Sequence, residues 1–317
     1  MLKTVLLIKK SNIRHSDAVV SEMSRTVEAL GKEGFAAAVL EAETAQEAES
    51  AAASAGVPAD IAETLFVCES GSVLCGLMEK GAFAIGYVHA DNPEERFPGA
   101  PYIVQEADLV DADSYVKMYQ RAAGLPWEIL ETRRCRVREF TAEDLDGIYA
   151  LYDEGAVRFL EPPSADRSRE EKILRAYIDR IYGLYGFGHW AVVLKDRPDM
   201  LIGRIGFSAL TGLQEKEAEG FGIPAPDADF GFLVGPGWRG MGIAEEVCRS
   251  LLQYGFSQLG FTCVRADAEN DNTASIHLLE KLGFLPVGQA VYEQSGKTVE
   301  RRVFILRPPC PVDTAGD

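Results

Sequence analysis

The chain has 317 residues, 47% of them hydrophobic, with 32 Lys and Arg against 49 Asp and Glu for a formal net charge of −17. This length favours two domains over a single core, and the acidic balance argues against nucleic acid and against an anionic membrane surface, both of which need clustered cations. No apolar run is long enough to span a bilayer, and the run from Thr4 to Ile8 is too short for a signal core and meets Lys9 and Lys10, so a cytoplasmic location is expected.

The first ~125 residues read as alternating strands and helices. Strands are predicted at Thr4–Lys9, Phe35–Leu40, Leu65–Cys68, Ala82–His89 and Tyr102–Val104. Between and after them come helices at Ser16–Lys32, Thr44–Ala55, Gly71–Lys80 and Asp113–Ala123, with Ser16 as an N-cap and Gly34 just past the first helix. Short turns between strand and helix predict a mostly parallel sheet in a Rossmann-like α/β domain. Gly124 and Pro126 break the last helix, which places a linker at 124–134.

The second half opens with a strand at Cys135–Arg138 and a helix at Glu143–Tyr152, with Thr141 and Asp144 spaced as in a capping box. The helix Ser168–Leu184 carries Ile173, Leu174, Tyr177, Ile181 and Leu184 at helical spacing, which core packing explains. Strands follow at His189–Leu194 and Leu201–Ser208, and 211–228 reads as an exposed loop. Next come a strand at Asp229–Val234, a helix at Ile243–Leu259, a strand at Cys263–Ala268 and a helix at Asn272–Leu282. Final strands lie near Val287–Tyr292 and Val299–Leu306.

The chemistry concentrates between Asp229 and Ala244, where a strand enters a turn with glycines at 235, 237, 240 and 242 that opens a helix. Glycines let backbone N–H groups turn inward and the helix N-terminus adds partial positive charge, so the turn suits phosphate or pyrophosphate. It lacks the Gly-Lys-Ser/Thr of nucleotide triphosphatases. Read as a dinucleotide fingerprint, it places the third glycine poorly and has no acidic residue at a suitable strand end.

Arg239-Gly-Met-Gly-Ile-Ala244 instead resembles the Arg/Gln-x-x-Gly-x-Gly/Ala signature of the GNAT acyltransferases. Arg136–Asp144, Ile202–Phe207, Asn272–Ser275 and Glu280–Phe284 resemble other elements of that family in the right order, over about 134–308. The pattern is closest to the subgroup that acetylates protein N-termini or antibiotics. The resemblance implies a GNAT acyl-CoA N-acyltransferase fold, mixed α+β, and transfer from acetyl-CoA to a primary amine by direct attack on the thioester. Arg239, Gly240, Met241, Gly242, Ile243 and Ala244 would hold the pyrophosphate. Leu233 and Val234 would offer backbone N–H groups to the pantetheine and the thioester oxygen, and Asn272 would reach the pantetheine arm or cap its helix.

Two catalytic assignments follow from the same resemblance. Asp229 stands where many relatives have Glu, as a general base or as an exposed strand-start carboxylate. The position that often supplies a Tyr general acid is Leu279 here. Ser275, one turn earlier, is the substitute, unless it only packs or the thiolate leaves unaided. Tyr182, Tyr185, His189 and Trp190 stand where an acceptor would enter or serve the core. A non-catalytic acyl-CoA-binding sensor is the alternative reading.

Residues 64–86 look like the later half of a haloacid-dehalogenase (HAD)-like hydrolase, with Glu69-Ser70 at its acidic position. Its nucleophilic Asp is missing, since the first strand runs Ile8-Lys9-Lys10-Ser11-Asn12, so 1–128 is expected to be a degenerate, non-catalytic domain. No pair among Cys68, Cys75, Cys135, Cys248, Cys263 and Cys310 has zinc-ligand or redox spacing, and with only four histidines, His15, His89, His189 and His277, no metal cluster is expected. The acceptor amine is left open, as is a homodimer.

Overall fold

A computed structural model describes residues 1–56, 60–294 and 297–308. The chain divides into two compact units, Met1–Trp127 and Glu128–Asp317.

The first unit holds β1 (Thr4–Lys9), α1 (Asp17–Lys32), β2 (Ala36–Glu41), α2 (Ala45–Ser54), β3 (Thr64–Cys68), α3 (Gly71–Glu79), β4 (Phe83–Tyr87), β5 (Ile103–Val104) and α4 (Ala112–Ala122). All five strands are parallel, in the order β2-β1-β3-β4-β5. β1 and β3 are apolar runs because helices cover both faces. Val5, Leu7, Leu65 and Val67 pack with α1 and α4 on one side. Leu6, Ile8, Phe66 and Cys68 pack with α2 and α3 on the other. Ser16 caps α1 by accepting from the Val19 N–H. The strand order reverses between β1 and β3, and doubly wound sheets open a crevice beyond the strand ends at such a point.

The second unit holds β6 (Glu128–Glu131), β7 (Cys135–Arg138), α5 (Leu145–Ala150), α6 (Glu154–Val157), α7 (Arg167–Tyr185), β8 (His189–Leu194), β9 (Arg197–Ser208) and α8 (Gly212–Gly220). It continues with β10 (Ala228–Val234), α9 (Ile243–Ser257), β11 (Val264–Glu269), α10 (Thr273–Leu282), β12 (Leu285–Gln294) and β13 (Lys297–Leu306). The sheet order is β12-β13-β11-β10-β9-β8-β7-β6, and only β10 and β11 run parallel. α9 and α10 pack on one face with Phe230, Val234 and Phe304. α5 and α7 pack on the other with Ala191, Leu201 and Leu233.

Two stretches differ from the sequence reading. Glu128–Glu131, placed in the linker, is an edge strand paired with β7. Residues 212–220, read as loop, form α8, which starts from a capping box of Thr211 and Gln214. Only Ala218 of that helix is buried, so it carries no apolar periodicity to betray it. Four of the cysteines, Cys68, Cys135, Cys248 and Cys263, are buried free thiols and Cys75 is a half-buried one; Cys310 lies outside the described residues. Among the described residues no helix is long and apolar enough to cross a membrane.

Candidate active site

The parallel strands β10 and β11 pair only at Ala228 with Val264 and Asp229 with Arg265. β10 stays on β9 as far as Val234 opposite Gly203, and β11 stays on β13 as far as Glu269 opposite Arg301. The two strands therefore part beyond Asp229, leaving a wedge beside Phe230–Val234. Leu233 and Val234 lie along this wedge, at 9% and 7% exposure, so little water competes for their backbone.

Directly after β10 the chain makes a tight turn at Pro236–Trp238, then passes Gly240 and Gly242 at φ 74° and 73° before entering α9. Only glycine takes such φ angles without strain. Gly242 is the N-cap of α9 and brings no side chain to it, so the first N–H groups, from Ile243 onward, are left without an intrahelical partner. α9 is fixed by burying Ile243, Val247, Leu251 and Leu252, each contributing about 1.5–3 kcal/mol. The result is a rigid, positively polarised helix end at the mouth of the wedge.

The side chain of Arg239 faces away from the helix end. Its Nε donates to the Val234 carbonyl at 2.8 Å and its two Nη groups donate to Asp153 at 3.0 and 3.1 Å. Of the signature residue, the backbone remains in the loop while the guanidinium braces it. A second arginine, which the sequence reading did not single out, lies closer. Arg134 donates from Nη1 to the Met241 carbonyl at 2.9 Å and from Nε to Glu246 at 2.8 Å. Its Nη2 would sit 3.8 Å from a Cβ on Gly242. It stands more than a hundred residues before the loop in sequence, and no local pattern signals it.

Of the two readings of Asp229, the exposed strand-start carboxylate does not hold: its side chain is 22% exposed. It accepts from Arg265 at 2.5 Å, and that guanidinium, 2% exposed, also donates to Asp267 at 2.7 Å, Glu217 at 3.0 Å and Tyr292 at 2.5 Å. Three carboxylates share one buried guanidinium. Burial pushes the Asp229 carboxyl up to about 7 against the pull of Arg265, with Asp267 adding to the rise.

Asn272 caps α10, accepting from the Ser275 N–H at 3.2 Å. Ser275 is half-buried on that helix, and Leu279 is core, 1% exposed. The aromatic group before β8 divides by role. Trp190 is 1% exposed and packs in the core. Tyr182 is a strut, donating to the His189 carbonyl at 2.7 Å and accepting from the Phe140 N–H. Tyr185 is exposed. The imidazole of His189 lies over Gly231, where an added Cβ would come within 2.7 Å of it, and its Nε2 is 3.1 Å from Ser208 Oγ. Its Nδ1 is buried without a hydrogen-bond partner among the described residues. Burial, with Arg204 adding, pushes the imidazole down to about 3, so it is neutral in ordinary conditions.

Arg204 lies opposite Leu233 in the strand register and borders a cavity of about 410 Å³ that Ile148, Tyr152, Glu161, Arg169 and Ile173 also line. The cavity opens on the sheet face covered by α5 and α7, one strand away from β10.

The acetyltransferase (GNAT) domain family matches residues 134–285. The chain is 31% identical over 188 residues to the uncharacterized N-acetyltransferase YoaA of Bacillus subtilis (strain 168), covering 57% of this chain and 97% of that protein. The chain belongs to the GNAT acetyltransferase family. It is 28% identical over 183 residues to the uncharacterized N-acetyltransferase p20 of Bacillus licheniformis, covering 56% of this chain and 96% of that protein. An acetyltransferase (GNAT family) structure from Bacillus anthracis aligns at 16% identity and a TM-score of 0.45, covering 56% of this chain and 97% of that one. This GNAT protein is an acetyltransferase by that membership.

Proposed function

We propose that the second unit transfers the acetyl group of acetyl-CoA to a primary amine by direct attack on the thioester. The observation that carries this is the parting of β10 from β11 immediately before an uncapped helix N-terminus. The pyrophosphate lies on the N–H groups of 240–244, with Arg239 bracing the loop. The pantetheine runs into the wedge past Asn272; of the two residues at the end of β10, Leu233 falls in a pair bonded to β9, so the backbone N–H of Val234 is the one that polarises the thioester oxygen. Asp229 takes the ammonium proton. At about 3.3 Å per strand residue it lies roughly 13 Å along β10 from Leu233, so the transfer runs through water. Ser275 is the candidate proton donor to the departing thiolate. The acceptor approaches from the face that carries Asp229, Gly231 and Leu233, over the cavity beside Arg204.

The first unit is read as non-catalytic in this reaction. Its β1 ends at Lys9 and is followed by Lys10, Ser11 and Asn12, so the tip offers no carboxylate nucleophile, which supports reading it as a degenerate HAD-like domain.

Calorimetric titration with acetyl-CoA tests the reading. Gly242→Glu places a carboxylate at the helix end but also strains a residue at φ 73°. Met241→Glu, at a side chain 54% exposed, carries the same charge without that strain. Saturable binding by the parent protein, weakened in folded Met241→Glu and abolished in Gly242→Glu, supports the site. No binding by the folded parent protein overturns it.

A further inference from the structure

Three side chains of the first unit converge where the order of its parallel strands reverses. His15 comes from the loop between β1 and α1, Glu69 directly follows β3, and His89 lies two residues past β4. The Glu69 N–H donates to the Ile8 carbonyl at 3.1 Å, which ties the tips of β3 and β1 together. Both ring Nε2 atoms point at one oxygen, Glu69 Oε2, at 2.7 Å from His15 and 2.8 Å from His89. The side chains are 3%, 1% and 2% exposed for His15, Glu69 and His89. The potential ligand atoms all lie within 4.8 Å of one another.

We propose that His15, Glu69 and His89 form a site for a divalent transition-metal ion of the zinc type. Two imidazole nitrogens and one carboxylate oxygen are a borderline-soft donor set suited to such an ion, and three protein ligands leave a fourth position for water. A second layer of contacts already orients them. Glu69 Oε1 accepts from the Lys10 N–H, and the Asn92 amide donates to the carbonyls of Glu69 and Tyr87 at 2.9 Å. Asn92 Oδ1 accepts from the His89 N–H at 2.7 Å. Such outer contacts fix the rotamers that a coordinating set needs.

Loading requires two small changes. With metal–ligand bonds of about 2.1 Å at tetrahedral angles, neighbouring ligand atoms sit about 3.4 Å apart. Each nitrogen therefore parts from the oxygen by about 0.6–0.7 Å. In the ion-free arrangement the Asp91 N–H donates to His89 Nδ1 at 3.2 Å, so the single proton of that ring sits on Nε2 and faces Glu69. With an ion on Nε2 that proton moves to Nδ1, and the Asp91 N–H turns away. Metal uptake thus carries a tautomer signature that a hydrogen-bonded cluster alone does not show.

The site stands independently of acetyl transfer and is tested on the full chain, stripped by chelator and titrated with cobalt(II) and then zinc chloride. The expected result is uptake of one equivalent with a visible cobalt band, lost in Glu69→Gln and His89→Ala and kept in His277→Ala, which alters an exposed histidine. Nitrogen-15 spectra of the imidazoles should show His89 passing from an Nε2–H to an Nδ1–H tautomer as zinc is added. If the variants do not fold, the parent protein still decides the matter. No one-equivalent uptake, or uptake that leaves the His15 and His89 rings unperturbed, overturns the site and leaves a hydrogen-bonded carboxylate.

Discussion

Arg239 and Asp153 form a two-pronged pair, with Nη1 to Oδ2 at 3.0 Å and Nη2 to Oδ1 at 3.1 Å. The first residue of the loop signature is therefore spent on holding the loop to the segment that precedes α6. Asp153→Asn should cost little stability, as for other half-exposed ion pairs. Its larger effect is on cofactor binding, because a loosened loop must be ordered again each time acetyl-CoA binds. The dissociation constant measured by calorimetry should rise while the melting temperature barely moves. Unchanged affinity would show that the brace is dispensable.

With Arg239 so engaged, Arg134 is the guanidinium nearest Gly242, and it should meet the phosphates of acetyl-CoA. Charged hydrogen bonds contribute about 1.5–3 kcal/mol, and since Arg134 is one-third exposed the lower figure applies. Arg134→Gln should raise the dissociation constant for acetyl-CoA about tenfold and leave the KM for acetyl-pantetheine, which lacks the phosphates, unchanged. An equal loss with both would mean that Arg134 acts only by positioning the loop.

Asp229 accepts a proton only as the carboxylate, and its carboxyl is pushed up to about 7. The value of kcat/KM should therefore rise with pH through about 7 and level off above it. Asp229→Asn should remove that limb and lower the rate by about 10²–10⁴-fold. His189, pushed down to about 3, stays neutral across this range. His189→Asn should leave the midpoint of the limb where it is, and a moved midpoint would transfer the assignment from Asp229 to His189.

Arg265 neutralises Asp229, Asp267 and Glu217 from within the sheet. Arg265→Leu leaves Asp229 and Glu217 without their guanidinium and Asp267 with Arg301 alone, which should destabilise the second unit by about 3–5 kcal/mol. Chemical denaturation of the two proteins side by side gives the difference.

The local signals in the sequence were of two kinds. The glycines at 235, 237, 240 and 242 between an apolar strand and an amphipathic helix announce an anion-binding turn, because the backbone carries that function and the spacing is local. The same holds for the caps at Ser16 and Asn272, each bonded within three residues. α8 escaped because its stability comes from a cap and a single buried alanine, not from an apolar stripe.

The sequence by itself determined the alternation of elements, the phosphate-type loop and the family resemblance, since each depends on residues that are neighbours along the chain. Only the tertiary structure decided which side chains face one another. It gave Asp229 to Arg265, Arg239 to Asp153 and Arg134 to the loop, and it brought His15, Glu69 and His89 to one point from three strand ends. Sheet pairing sets those meetings, and a strand's partners are fixed by burial on both faces rather than by distance in sequence.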